Sequence, residues 1–404
     1  LLKIGWIDFS KAHRSKIMSV LDLLSKPGAV DELGISVIRD RLADILFPGT
    51  STIQTRAKYF FIVPWLLYGL EKEKGLNANL LIRSLHEEEI KLIDVLAATD
   101  PNGVIGIESR EKLKRKPSDI YWNGIKKYGI MLKPKLTIYE YARAVFQVHE
   151  KKQAAMLANK ETTDDKDANL ADPASVFWSI IPPKNDWKRN VQMKLTCTES
   201  EFLLDKIQTS PMTRQTLWAS ILRDYRKEAA ARESFTDLSD IVAGMSGEIR
   251  KDYALARKFA GLIYGAHIRY NMLFFEALKR QNDTVASEWD EWVYEMKSDF
   301  DFSDWNESEL LSRIRVTDYR LRTFIREWSE FARNINQDTT AMIDDLIRKR
   351  EIQKKGLDRA KLSNTEDFIA FEGDWLGIGM LQYRWPNARQ LLLDIMEGLG
   401  ELNV

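Results

Sequence analysis

The sequence predicts a mainly α-helical, multi-domain protein with few short strands, and three observations carry that expectation. Apolar residues recur at spacings of three and four through most of the chain, the pattern of helices that bury one face. No series of glycine-turned hairpins and no alternation of strand and helix patterns occurs. The 404 residues, 44% of them apolar and 10% aromatic, exceed the roughly 250–300 residues at which a single core stops growing.

Taken in order, "GWIDFS" (5–10) reads as a short strand or an extended lead-in. In "ISVIRDRLADILF" (35–47), Ile38, Leu42, Ile45 and Leu46 share one helical face, and Pro48 and Gly49 end the helix. A second helix is expected to begin near Ile53, capped by Thr50, Ser51 or Thr52, and to kink or stop at Pro64. On it Arg56 and Tyr59 share a face. Arg56 either pairs with Asp40 or Asp44 of the preceding helix, or stands with the helix start at Thr50–Thr52 as an anion contact, phosphate being the obvious ligand. Further helices are expected over 77–97, 138–157, 199–208, 212–231, 249–281, 307–334, 338–361 and 387–399. "KLTIYEYA" (135–142) and "VQMKLTCT" (191–198) alternate briefly, as strands do.

The polar, aperiodic run "LANKETTDDKDANLADPAS" (157–175) predicts a loop or linker, set at 158–172. With a softer boundary at 299–309, it divides the chain into an N-terminal helical domain (1–157), a central helical domain (173–300) and a C-terminal helical region (301–404). The last two regions are able to share one core.

The 60 basic and 60 acidic side chains cancel, so any electrostatic attraction is local. Cys197 is the single cysteine, which excludes an intrachain disulfide and a thiolate cluster, and a reducing cytoplasm fits best. The chain starts at Leu1 instead of a methionine, and an initiator residue or short leader is expected ahead of it. The longest apolar run, 59–70, is too short to span a bilayer, so a soluble cytoplasmic protein without membrane contact is expected.

Motifs for catalysis are absent: there is no Walker-type loop, G-x-G-x-x-G, H-E-x-x-H or G-x-S-x-G. His13, His86, His149 and His267 are far apart in sequence. His86 and Glu89 share a helix face but stop at two ligands, so neither a metal nor another cofactor is expected. In "FAGLIYGAHIRYNMLFFEALKR" (259–280), His267 and Asn271 lie four residues apart, flanked by Tyr264 and Tyr270. They form either a satisfied buried histidine in a tight helix pair or a polar pocket for a base, nucleotide or peptide group.

"REKLKRKPSDIYWNGIKKYGIMLKPK" (110–135) carries nine cations against Glu111 and Asp119, a local charge of +7. Tyr121, Trp122 and Tyr128 are interleaved with it. Clustered cations hold phosphates and aromatic faces stack on unpaired bases, so Lys112, Lys114, Arg115, Lys116, Tyr121, Trp122, Lys126 and Lys127 are candidate nucleic-acid contacts, with Arg56 as a possible further one. The bland alternative is a solvated helix capped near Ser118. Between Asp283 and Glu309 ten carboxylates face only Lys297, a local charge of −9. Trp289, Trp292 and Trp305 within that segment are candidate anchors for a protein partner, unless the segment docks onto the basic stretch. A third charged run, 348–361, is basic and helical.

"GWIDFS", "GAVDELGISVIRDRLADILFPGTSTIQTRAKYFFIVPW" (28–65) and "KPSDIYWNGIKKYGI" (116–130) resemble a bacterial family known only as a domain of unknown function. The resemblance covers most of the chain and is densest in residues 4–130. It implies a gene that sits among antiviral defence and DNA-processing genes, and it supplies no catalytic residue. The expected function is a non-catalytic nucleic-acid-binding or adaptor component of a defence complex, binding DNA before RNA. The alternatives are an enzyme acting on nucleic acid or a nucleotide around His267, and a structural assembly subunit.

Overall fold

The structure, a computed structural model, describes residues 30–73, 75, 77–159, 176–336 and 340–403. "GWIDFS", His13 and the polar run 160–175 lie outside the described residues. Within them the architecture is mainly α. The helices are α1 (Ser36–Leu46), α2 (Tyr59–Leu70), α3 (Ala78–Thr99), α4 (Pro117–Lys127), α5 (Ile138–Asn159), α6 (Trp187–Asn190), α7 (Cys197–Thr209), α8 (Leu217–Asp224), α9 (Arg226–Ala230), α10 (Ser239–Ala243), α11 (Gly247–Ala277), α12 (Asp283–Ser298), α13 (Glu307–Arg313), α14 (Tyr319–Arg333), α15 (Thr340–Lys355) and α16 (Trp385–Leu399). Short 3₁₀ turns join several of them. The one β-bridge among the described residues is antiparallel, Met131 to Trp178.

Side-chain caps start many of these helices. Asn77 accepts from Leu80 N, Thr216 from Ala219 N, Asn282 from Val285 N and Asn306 from Glu309 N. Thr196 and Glu199 form a reciprocal capping box on α7. "KLTIYEYA" therefore becomes the entry to α5, and "VQMKLTCT" an extended lead into α7. A cap that satisfies free N–H groups outweighs a few residues of alternation.

The helix expected from Ile53 starts only at Tyr59. Residues 50–58 form turns closed by Gln54, whose amide donates to Gly49 O at 3.0 Å and accepts from Ser51 N at 3.1 Å. Thr50 Oγ1 donates back to Phe47 O at 2.7 Å. The helix then runs through Pro64 to Leu70. Proline removes one N–H donor, yet α2 is buried on nearly every side, and packing holds it together.

The described residues form two compact units: one holds residues 30–42 with Arg250–Tyr383, the other residues from Ala43 to Ile249 with those from Arg384 onward. Helix contacts, not chain order, define a core. In the first unit α12 lies on α11 at Gly265, where a Cβ would come within 2.2 Å of the Trp292 ring, and Trp292 Nε1 donates to Gly261 O at 2.8 Å. Trp328 Nε1 donates to Leu262 O at 2.8 Å, so two indoles fix partners against the backbone of α11.

In the second unit α2 packs on α3 and α4, α3 on α5, and α16 on α7. Tyr59, Phe60, Tyr121 and Tyr128 form one aromatic cluster with ring centroids about 5 Å apart. Gly124 lets α4 approach the preceding turn, since a Cβ there would meet Gly49 O at 2.5 Å. Phe47 gathers Trp218, Phe235 and Trp385 around it.

Candidate nucleic-acid interface

Arg56 and Lys58, polar residues inside an apolar run, are buried and paired. Arg56 Nε donates to both Asp394 oxygens at 3.0 and 3.2 Å, and Nη1 donates to Asp100 Oδ2 at 2.9 Å and Asn102 O at 3.1 Å. Asp394 also accepts from Ala57 N at 2.6 Å. Burial works against the Arg56 charge, but the two carboxylates outweigh it and raise the pKa. The expected partners differ: Asp44 pairs with Arg384 at 2.6 Å, and Asp40 with Arg39 at 2.9 Å. Lys58 Nζ donates to both Glu199 oxygens at 2.7 Å, and burial pushes its pKa down. Arg56 is consequently spent on the fold, and Thr50–Thr52 is not a helix start that could hold an anion.

The basic stretch divides by position. Ile120, Tyr121, Gly124, Ile125 and Tyr128 recur at three and four, and that spacing turns them into the core. Tyr121 accepts from the Thr55 and Arg56 N–H groups at 2.9 and 3.1 Å and donates to Arg56 O at 2.8 Å. Trp122 Nε1 donates to Leu136 O at 3.1 Å. These two rings are therefore core residues and do not offer a face to a base. Lys112, Lys114 and Arg115, in the loop before α4, are exposed and have no ion-pair partner among the described residues. Lys116 is half-buried, with Nζ donating to Leu113 O at 3.2 Å. Lys126 and Lys127 are half-buried in the last turn of α4, where cations offset the helix dipole. Arg110 pairs with Asp94.

A groove of about 770 Å³ borders this loop. Arg83, His86 and Lys91 of α3 line it with Glu111, Lys116 and Tyr139, over Ile82 and Ile90. Arg83 is engaged by Glu87 at 2.9 Å and Lys91 by Glu88 at 2.8 Å. Burial, reinforced by Lys116, pushes the His86 pKa below its usual value. Tyr139 is 55% exposed. It is an accessible ring near these cations, and it lies outside the basic stretch 110–135 that carries the local charge. Glu89 does not join His86 in a ligand pair. Its carboxyl is buried and accepts from Ser118 N at 2.5 Å and Ser118 Oγ at 3.0 Å, and burial pushes its pKa up to about 8. Among the described residues no group of three His, Cys, Asp or Glu is placed to hold a metal ion.

The residues around His267 each serve the first unit. His267 is buried, with Nδ1 at 3.3 Å from Gly379 O, and burial pushes its pKa down to about 4. Asn271 donates to His267 O and Leu376 O and accepts from Leu376 N at 2.6 Å, pinning a loop to α11. Tyr270 donates to Glu351 at 2.6 Å, and Tyr264 to Glu288 at 2.8 Å. Trp292 and Trp305 are buried in their own unit, which removes them as anchors for a partner. Trp289 is half-buried and stacks on Trp292 at 5.1 Å.

Against known families, the chain matches over residues 1–398 the model described as "Family of unknown function (DUF6361)". No curated protein and no solved structure matches it. No helix among the described residues is long and apolar enough to cross a membrane.

Proposed function

The chain belongs to the DUF6361 family, and we propose from its own surface that it is a non-catalytic protein that binds the phosphate backbone of nucleic acid, DNA before RNA. The supporting observation is the row of exposed cations Lys112, Lys114 and Arg115, without ion-pair partners among the described residues and continued by Lys116. Cations left unneutralised in one loop release counterions when phosphates replace them. With Tyr121 and Trp122 in the core, the contact is with a duplex backbone, not with stacked bases. Work in the cytoplasm, within an antiviral defence complex whose protein partner supplies the chemistry, belongs to the same proposal. Its support is the single exposed Cys197 and the resemblance that is densest in residues 4–130.

The test is a titration of the full chain against single- and double-stranded DNA and RNA at two salt concentrations, repeated with the combined variant Lys114→Glu, Arg115→Glu, Lys116→Glu. Duplex DNA should bind most tightly, and the variant should flatten the log–log salt slope by about 3, near 0.9 per phosphate contact. Unchanged affinity in the variant, or no binding by the native chain at low salt, rejects the assignment.

A further inference from the structure

In the first unit, α14 and α15 enclose another cation-lined groove, separate from the stretch 110–135 and from the residues around His267, to which the basic run 348–361 contributes Lys349, Arg350 and Lys354. Two adjoining cavities of about 540 and 170 Å³ share Tyr319, Arg320, Arg350 and Gln353 in their walls. Arg350 sets this groove apart. It is 3% exposed, and its Nε donates to Leu33 O at 2.7 Å, while Nη1 and Nη2 have no hydrogen-bond partner among the described residues. Its guanidinium lies over the Phe324 ring at 5.4 Å. Gly34, at φ +69°, leaves space behind it, since a Cβ there would come within 2.6 Å of Nη2.

The rim adds charge of the same sign. Arg320 and Lys354 line the larger cavity, and Arg320 and Lys349 the smaller. All three are exposed and without ion-pair partners among the described residues. Opposite them stand Asp318, which caps α14 by accepting from Arg320 N and Leu321 N, and Glu327. Each cavity therefore has three cations against one carboxylate in its wall. The positive end of the α14 dipole lies at the same mouth, because Asp318 and Tyr319 begin that helix.

Solvated lysines on α15 account for Lys349 and Lys354 alone. They leave unexplained a buried guanidinium with no carboxylate bonded to it: burial lowers the Arg350 pKa, and the attraction of Asp318 and Asp31, neither of them in contact, offsets this only in part. An anion in the groove offsets the rest. A guanidinium fork among further cations matches a phosphoryl dianion better than a carboxylate. Tyr319, 76% exposed, offers a ring face at the opening.

We infer that the groove between α14 and α15 binds a phosphoryl group carried by a small planar compound of the mononucleotide class. Arg350 makes the buried contact, Arg320, Lys349 and Lys354 neutralise the remaining charge, and Tyr319 covers the planar part.

Calorimetric titration of the full chain with adenosine monophosphate and with inorganic phosphate, at fixed chloride concentration, tests this. Saturable binding of the nucleotide is expected, with inorganic phosphate at least tenfold weaker. Arg350→Lys should weaken nucleotide binding at least tenfold. Because a change at a buried site risks misfolding, the surface variant Lys349→Ala, Lys354→Ala serves as a second probe and should weaken binding several-fold with an unchanged melting temperature. The variant Lys114→Glu, Arg115→Glu, Lys116→Glu should bind the nucleotide as the native chain does, which separates this site from the proposed backbone interface. Absence of saturable heat with both ligands, unchanged affinity in the surface variant, or loss of affinity in the Lys114–Lys116 variant would each overturn the assignment. Equal affinity for nucleotide and phosphate would overturn the role given to Tyr319.

Discussion

Two segments of one unit set cations beside aromatic residues, and they use them in opposite ways. In residues 50–70 Arg56 and Lys58 are buried and bonded to Asp394, Asp100 and Glu199; in residues 110–135 Lys112, Lys114 and Arg115 stand in solvent while the neighbouring rings fill the core. The difference follows from the flanking pattern. A lone cation in an apolar run is carried inside by its neighbours and must then be paired, whereas a run of cations is not buried as a block, because desolvating several like charges costs more than the nearby rings return. The two segments thus separate charge spent on folding from charge available to a partner.

The largest expected effect breaks the buried side of this comparison. Asp394→Ala leaves the Arg56 guanidinium half-paired and the Ala57 N–H without its acceptor, and should cost about 3–5 kcal/mol in denaturant unfolding. A loss below about 1 kcal/mol would mean that Arg56 is not held by this pair. Lys58→Met and Glu199→Leu should each cost a similar amount alone, roughly 3–5 kcal/mol. Combined, they should recover most of it and keep a deficit of about 1 kcal/mol, because Glu199 also accepts from Thr196 N in the α7 capping box. Additive single effects in that cycle would show that Lys58 and Glu199 are not coupled.

Two buried titratable groups predict opposite pH responses. The folded pKa of His267, about 4, lies below its ordinary 6.5. Its contribution is therefore present above pH 6.5 and lost as pH falls toward 4, an effect of roughly 3 kcal/mol. Unfolding free energies of native chain and His267→Gln between pH 7 and 4 should converge; parallel curves would place the histidine in water. The folded pKa of Glu89, about 8, lies above its ordinary 4.5, so its contribution is present below pH 4.5 and lost as pH rises through 8. Glu89→Gln should gain stability relative to the native chain between pH 5 and 9, and a constant difference would contradict a buried, protonated carboxyl beside Ser118.

The smallest expected effect lies on the exposed side. Lys114→Glu, Arg115→Glu and Lys116→Glu together should change unfolding stability by less than about 1 kcal/mol, since exposed side chains away from packed contacts contribute little. A larger loss, read by thermal unfolding, would mean that the loop before α4 is itself structural and that the comparison drawn above fails.

Much of the fold was legible in the chain. Helical periodicity located most of the helices, and the Asn77 cap sits at a short polar residue just ahead of the apolar run it opens; the helix α12, rich in carboxylates, carries no such run and was not expected. The start of α2 was misread because "GTST" resembles a cap; the Gln54 side chain instead closes those residues into turns. At the candidate interface the cations were legible and the rings were not. Tyr121 and Trp122 look the same whether they face a base or a core, and only the packing of α2 on α4 decides.

By itself, the sequence determined the helical class, the local charge of the stretch 110–135 and the absence of familiar catalytic motifs, because period, caps and composition are local properties. The tertiary structure alone decided that Arg56 meets Asp394, 338 residues away, that Glu351 receives Tyr270, and that the Arg350 guanidinium lies buried beside a cavity with no carboxylate bonded to it. Such pairings depend on which helices share a core, and nothing within a few residues of either partner encodes them.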